Sequence, residues 1–190
     1  MSTSEQRQRM AAAIVNFEAR RDANGHLAVY DLPAGDGGGR YEVAGINERY
    51  NKEAADALVA MVQAGQFAEA ETYAADFIAR DTDKAASWTR VPAIESYLRD
   101  CVFNRGAGGG ARILQRAVGV DDDGSVGQLT KAAVATAEAN ASALLASLRA
   151  AREQYERDVA HRDETSKFWN GLVNRWNKAI DVAKSFPMTP

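Results

Sequence analysis

The amino-acid sequence predicts a mainly α-helical protein, of α+β class, with a small β-hairpin after the first helix. Alanine, which has the highest helix propensity, is frequent along the whole chain. Apolar residues recur at helical spacing in several long segments. Two segments, 26–32 and 40–46, instead alternate loosely between apolar and polar residues and flank a glycine-rich turn. A chain of 190 residues buries roughly 70% of its unfolded surface, so helices and hairpin can share a real core.

The first helix is predicted over about residues 4–21. Ser4 is a suitable N-cap, and Met10, Ile14 and Phe17 form an apolar face. An Asn-Gly pair then ends the helical pattern, and the hairpin follows. The loop between its two strands is too long for a tight two-residue turn.

The chain after Asn47 is predicted to be helical. Helices are expected over 52–64, 67–82, 92–103, 111–118, 126–138, 140–160 and 163–184. Pro92 suits a first helical turn, and the glycine-rich segment 105–110 predicts a turn. Trp169 and Trp176 are seven residues apart on one helix face, which favours packing in the core.

Charge and composition exclude several classes of protein. The net charge is −3 and the pI is near 5.5, whereas a nucleic-acid-binding domain usually carries a basic face. No apolar run reaches the ~18 residues needed to span a bilayer, and the polar start lacks the features of a secretory signal. We therefore expect synthesis in the cytoplasm. The single cysteine, Cys101, lies in an apolar segment and is expected to be a buried small hydrophobe.

Glu18 is the first candidate catalytic residue, because it lies near the end of the first helix, just before the hairpin. A carboxyl group partly buried beside a cleft has a raised pKa and can protonate a glycosidic oxygen. The alternative is a surface glutamate that pairs with Arg20 or Arg21.

The hairpin supplies the candidate partner carboxylates Asp31, Asp36 and Glu42. A second acidic group about 5–5.5 Å from the acid implies retention of stereochemistry, and about 6.5–9.5 Å implies inversion. Asp36 precedes three glycines, so it fits a turn residue equally well.

Other kinds of site receive no support from the sequence. The glycine runs lack the following Gly-Lys-Ser/Thr of a phosphate loop, and residues 121–124 lack the later ligands of a calcium loop. Two distant histidines without clustered cysteines do not predict a zinc site, so we expect no metal and no cofactor. Trp88, in the polar segment 84–90, is the aromatic residue expected to be exposed to a sugar.

Several short motifs together resemble a known family. In the first half they are Phe17-Glu18, Asp36-Gly37-Gly38-Gly39 and Ala44-Gly45-Ile46-Asn47. In the second half they are Phe103-Asn104-Arg105-Gly106, Leu114-Gln115, Gly119-Val120, Asp123-Gly124, Gly127, Thr130 and the segment Phe168 to Trp176. With these motifs the chain resembles glycoside hydrolase family 108, lysozyme-like N-acetylmuramidases with a peptidoglycan-binding-type C-terminal region. Glu18 is followed by Ala19-Arg20-Arg21, where that family has Gly-Gly-Tyr.

The resemblance implies a lysozyme-like helical fold that cleaves β-1,4 bonds of the peptidoglycan glycan strand. Glu18 would be the general acid, assisted by Asp36 or Glu42. The residues expected to bind substrate are Arg40, Tyr41, Asn47 and Trp88. Residues 1–100 would form the catalytic region and 101–190 the peptidoglycan-binding-type region, packed as one unit. We expect a monomer that acts in the periplasm or at the wall after export by a holin or a secretion apparatus.

Three alternatives remain open at this stage. The chain could bind cell-wall glycan without cleaving it, or it could be a structural protein of a phage or secretion machine. The altered motif after Glu18 is also compatible with hydrolysis of a related glucosamine polymer such as chitosan.

Overall fold

The structure is a computed structural model that describes residues 2–33 and 39–190, and the chain forms two compact units. The sheet unit comprises Ala11–Arg80. The helical unit comprises the start of the chain up to Met10 together with Asp81–Pro190. The predicted mainly α-helical class with a small β part is confirmed.

The sheet unit contains three short strands, preceded along the chain by one helix and followed by two. Its elements are the larger part of α1 (Ser4–Glu18), β1 (Tyr30–Asp31), β2 (Tyr41–Val43), β3 (Ile46–Asn47), α2 (Lys52–Gln63) and α3 (Phe67–Asp81). Helix α2 packs against β2 and β3. The α2 and α3 helices fall within one residue of the predicted boundaries.

The strands form an antiparallel sheet in the order β1-β2-β3. The predicted hairpin corresponds to β1 and β2, while the second predicted strand is in fact two strands. Ala44 and Gly45 separate β2 from β3, with φ of 51° and 73°. Two successive positive φ angles are characteristic of a tight type I′ turn, which reverses the chain where the sequence pattern indicated one continuous strand.

Helix α1 begins at Ser4, as predicted, but its N-cap differs from the predicted one and it ends three residues earlier than predicted. The Thr3 hydroxyl accepts a hydrogen bond from the Gln6 amide at 3.1 Å, and the Gln6 side chain accepts one from the Thr3 amide at 2.8 Å. This is a capping box, so Thr3 is the N-cap and the prediction of Ser4 was wrong. At the other end, Arg21 pairs with Leu27 in an isolated β-bridge, so the chain has already left the helix at the predicted last residue.

The helical unit is built around one long, broken helix. Its elements are a 3₁₀ turn (Asp83–Ser87), α4 (Pro92–Val118), α5 (Gln128–Ala137), a second 3₁₀ turn (Glu138–Asn140), α6 (Ala141–Asp158) and α7 (Trp169–Lys184), preceded by the first turns of α1. Helix α4 packs against α6 and α7. The predicted boundary at residue 100 falls inside α4, and that division of the chain stays a prediction. Within the described part of the chain, none of these helices is both long and apolar enough to cross a bilayer.

The predicted glycine-rich turn is a single break within α4. Gly106 has φ 67° and ψ 171°, whereas the glycines that follow it are helical. A Cβ atom on Gly110 would lie 2.8 Å from the Val102 side chain. The glycines therefore let the second half of α4 fold back closely on the first half instead of forming an open loop.

A buried ion cluster joins the three main helices of this unit. Asp100 of α4 lies between Arg152 of α6 and Arg175 of α7, with N···O distances of 2.6 and 2.7 Å. Burial raises the pKa of Asp100, but the two guanidinium groups outweigh burial and hold that pKa below its ordinary value.

Apolar packing surrounds this cluster. Trp169 and Trp176 are buried, as predicted, with ring centroids 5.6 Å apart in an edge-to-face arrangement. Cys101 is fully buried, also as predicted. Its burial raises the pKa of the thiol to about 11.

Candidate functional site

Glu18 is the last residue of α1 and is half-buried. Ile14 and Val15 of the preceding turn are buried, which fixes this end of the helix. Two residues further on, the Arg20 guanidinium lies over the ring of Tyr30 at 4.9 Å from the centroid. The backbone also connects these parts, because the Arg20 carbonyl accepts a hydrogen bond from Ala28 at 2.9 Å. The end of α1 is therefore attached to the first strand of the sheet.

The sheet has two faces of different character. Val43 and Ile46 are register partners, so their side chains share one face, and both are fully buried. Tyr41 lies on that same face by strand alternation, and its hydroxyl donates a hydrogen bond to Asp56 of α2. We call this the inner face.

The outer face carries polar residues at the corresponding positions. Glu42, in the middle of β2, is paired across the sheet with Tyr30 of β1 and with Asn47 of β3. Side chains of such partners have Cβ atoms about 5 Å apart. All three residues are half-buried. The outer face therefore presents a carboxylate between a phenol and an amide.

Asn47 is held in place by the surrounding backbone. Its side-chain oxygen accepts a hydrogen bond from the Arg49 amide at 2.8 Å. Gly39, with φ of 141°, lies directly against this side chain, and a Cβ atom there would collide with the Asn47 oxygen. Among the glycines of the glycine-rich turn, the structure describes Gly39, and the lack of a side chain lets its backbone lie against Asn47.

Charged residues form ion pairs around β2 and the start of α2. Lys52 donates to Asp56 at 2.5 Å, and hydrogen bonds from Lys52 and from Tyr41 lower the pKa of Asp56. The hydrogen bond to Asp56 raises the pKa of Tyr41. Arg40 donates to Glu48 at 2.9 Å, and this bond lowers the pKa of Glu48. The polar groups of Tyr41 and Arg40 thus bond within the protein, and substrate binding by these two residues stays a prediction.

Sequence reasoning missed Asp56 and Glu48 as partners of these residues. The only sequence signal for Asp56 is its position four residues after Lys52, which suits a helical ion pair. Glu48 lies just beyond β3, and its role depends on the tight turn that the sequence pattern did not reveal.

The other predicted site residues are distributed as follows. Asp36 lies outside the described residues. Of the two arginines named as alternative partners of Glu18, Arg20 lies over Tyr30, and Arg21 bonds to Asn16, Gly25 and Glu71. The structure brings Glu42 together with Asn47, and Arg40 together with Tyr41. In residues 2–33 and 39–190, no group of three or more His, Cys, Asp or Glu side chains is arranged to hold a metal ion.

Trp88 belongs to the helical unit, and the prediction that it is exposed was wrong. Only 7% of its surface is accessible. The segment 84–90 is not an open polar loop, because most of it is a 3₁₀ turn and the rest is anchored by Glu138. The Glu138 carboxylate accepts hydrogen bonds from the Thr89 hydroxyl at 2.6 Å and from the Arg90 amide at 2.7 Å.

The motif segment 115–130 is organised by one buried amide. The Gln115 side chain donates to Asp123 at 2.7 Å and to the Ser125 carbonyl at 3.1 Å, and it accepts from the Gly124 amide at 2.9 Å. The spaced Gln and Asp-Gly residues of the motif therefore shape the turn between α4 and α5.

Comparison with known proteins connects the second half of the chain to the bacterial cell wall. Residues 109–177 match a family described as "Predicted Peptidoglycan domain". A solved structure titled "Structure of Brucella abortus SagA" is similar to the chain, with 20% identity over 97% of each chain and a TM-score of 0.65. No curated protein matches the chain.

The two matches cover different parts of the chain and support different conclusions. The structural similarity, at this identity, concerns the fold, and it extends over both units. The family match identifies a peptidoglycan-related region over α5, α6, the end of α4 and the start of α7. The finer resemblance to glycoside hydrolase family 108 stays a prediction.

Proposed function

We propose that the protein hydrolyses β-1,4 glycosidic bonds of peptidoglycan, with Glu18 as general acid and the outer face of the sheet as part of the substrate site. One juxtaposition carries the proposal. Glu18 ends α1 with a half-buried carboxyl group, and Arg20, two residues later, lies over the ring of Tyr30. Tyr30 is in turn the register partner of the half-buried Glu42. The peptidoglycan-related region in the same chain supports the choice of polymer.

In this mechanism Glu18 gives its proton to the oxygen of the departing sugar. Partial burial of a carboxyl group favours the neutral form, which is the form that can donate. As the bond breaks, positive charge develops at the anomeric carbon of the other sugar. Glu42 or Asp36 would stabilise that charge or orient the attacking water, and Asn47 would hydrogen-bond a sugar substituent.

Arg40, Tyr41 and Trp88, which the sequence predicted to bind substrate, would have different roles. Arg40 has a largely exposed side chain, so it can contact a sugar while its bond to Glu48 persists. The Tyr41 hydroxyl bonds to Asp56, so this tyrosine would position the strand that carries Glu42. Trp88 is buried in the helical unit, so we assign it no contact with the sugar at the Glu18 site.

The test compares clearing of wall fragments by wild type and by Glu18→Gln. We expect the variant to lose a factor of about 10²–10⁴ in rate, which is the usual contribution of a general acid. Glu5→Gln, at the exposed opposite end of the same helix, is the matched control and should clear normally. Equal clearing by wild type and Glu18→Gln would remove Glu18 from the mechanism.

The bond that is cut is identified by mass spectrometry of the released fragments. A new reducing end on N-acetylmuramic acid corresponds to the proposed muramidase reaction. A reducing end on glucosamine would indicate a different specificity, as would activity on chitosan and not on wall fragments.

A second candidate function is cell-wall binding without cleavage. The observation that favours it is that the family match falls on residues 109–177 and not on the unit that contains Glu18. It predicts that purified wall sacculi retain the protein while no reducing ends are released. Under either function the protein acts at the cell wall, and we propose export by a holin or a secretion apparatus and a monomeric state.

A further inference from the structure

A groove in the helical unit lies beside Trp88. It has a volume of about 400 Å³, which falls within the range of small-ligand sites. Its lining includes Trp88, Arg90, Lys131, Val134, Ala135 and Glu138. The last four of these lie within the peptidoglycan-related region.

One helix face forms one wall of the groove. Lys131, Val134, Ala135 and Glu138 are spaced i, i+3, i+4 and i+7, so they follow one another along the same side of α5 and the turn after it. At a rise of 1.5 Å per residue, Lys131 and Glu138 are about 10 Å apart along the axis. The wall is therefore cationic at one end and aliphatic in the middle.

The opposite wall is fixed by Glu138. This carboxylate is 3% exposed, and it holds Thr89 and the backbone of Arg90 through short hydrogen bonds. The Arg90 Nε also donates to Glu138 at 3.4 Å, while 64% of the arginine side chain remains accessible to solvent. The buried glutamate thus sets the position of an accessible guanidinium group.

The cationic side chains and the apolar floor of the groove indicate which kind of ligand it can bind. The lining contains three charged residues. Arg90 and Lys131 are accessible and cationic, whereas the carboxylate of Glu138 is buried. Trp88 and Val134 are buried and leave an apolar floor without an open aromatic face for a sugar to stack on. Carboxylate groups separated by small apolar side chains fit this lining better than a neutral glycan does.

We propose that this groove binds the acidic stem peptide of peptidoglycan. Lys131 and Arg90 would each meet a carboxylate of the peptide, and the exposed Ala135 would contact an alanyl methyl group between them, above the floor that Trp88 and Val134 form. The proposal rests on the peptidoglycan target of the proposed function but not on the chemistry of Glu18. A binding site in the helical unit would hold the wall polymer independently of cleavage.

The experiment is calorimetric titration of the full chain with a synthetic pentapeptide, L-alanyl-D-glutamyl-diaminopimelyl-D-alanyl-D-alanine. This probe has no glycosidic bond, so failure of hydrolysis at Glu18 does not affect the result. We expect binding of the peptide and about tenfold weaker binding of the same peptide with its carboxyl groups amidated. Equal affinity for the two peptides, or no binding of the acidic one, would overturn the proposal.

Two variants localise the binding. Lys131→Gln removes an exposed cation and should weaken binding about fivefold, whereas Lys178→Gln, an exposed lysine of α7 outside the groove, should not. In a nitrogen–proton NMR spectrum the indole signal of Trp88 should shift on addition of peptide. An indole shift caused instead by an N-acetylglucosamine tetramer, with none from the peptide, would assign the groove to glycan and contradict the proposal.

Discussion

The Asp100 carboxylate in α4 accepts a hydrogen bond from the Arg152 guanidinium in α6 at 2.6 Å, and both side chains are 2% exposed. Arg175 of α7 bonds to the other oxygen of the same carboxylate. One acidic group therefore neutralises much of the charge of two buried or half-buried arginines where three helices meet. A buried charge that loses its partner is costly, which makes this carboxylate a sensitive point of the helical unit.

Asp100→Asn should lower the free energy of unfolding of the helical unit by roughly 3–5 kcal/mol, because two guanidinium groups lose their anionic partner. Urea unfolding followed by tryptophan fluorescence measures this directly, since all three tryptophans belong to this unit. Asp181→Asn, at an exposed position of α7, is the control and should change stability little. If Asp100→Asn lowers the free energy of unfolding by less than about 1 kcal/mol, the ion cluster does not stabilise the helical unit as proposed.

The same cluster should make stability depend on pH in acid. The folded-state pKa of Asp100 is lowered from the ordinary 3.8, so its stabilisation is fully present above that value and is lost as pH falls through the folded pKa. The stability difference between wild type and Asp100→Asn should be constant from pH 7 to about 5 and shrink below about pH 4. Urea titrations at several pH values measure it, and a difference that already shrinks near pH 6 would point to another group.

Gln115→Leu should destabilise the turn between α4 and α5. The substitution keeps the size of the side chain but leaves the Gly124 amide and the Asp123 carboxylate without this partner, at a cost of roughly 1–3 kcal/mol. Thermal unfolding compared with Gln128→Leu, at an exposed position of α5, isolates the effect. Similar melting temperatures for the two variants would show that the amide does not organise the motif.

Glu42→Gln should lower the rate of glycan hydrolysis by about 10²-fold if Glu42 is the residue that assists Glu18. The matched control is Glu69→Gln, an exposed glutamate of α3 in the same unit. Rates of reducing-end release measure the effect. Full activity of Glu42→Gln, with loss of activity in Asp36→Asn, would transfer the assisting role to Asp36.

Much of the fold could be predicted from sequence because its signals are local. Apolar spacing located the helices after Asn47 to within a few residues, apart from the start of α7, and the spacing of Trp169 and Trp176 correctly predicted that both are buried. Helix ends were less accurate, since the β-bridge of Arg21 to Leu27 is a pairing between segments that no local pattern encodes.

The candidate sites were harder to predict because they depend on distant partners. Trp88 was expected to be exposed, but it is buried. The two residues that follow it are held by hydrogen bonds to Glu138, fifty residues further along the chain. The hydrogen bond of the Tyr41 hydroxyl to Asp56 of the following helix was also not foreseen, while sugar binding by Tyr41 stays a prediction. The approach of Gly39 to Asn47 likewise depends on the positions of two separate strands.

The deep burial of Cys101 has a practical consequence for spectroscopy. A thiol that is shielded from solvent and protonated at neutral pH reacts poorly with maleimides. A cysteine introduced on the surface of the folded chain can therefore carry a fluorophore or spin label while the native thiol stays unmodified. With two such introduced cysteines, the distance between their labels can be measured in the presence and absence of peptidoglycan, and Cys101 need not be replaced.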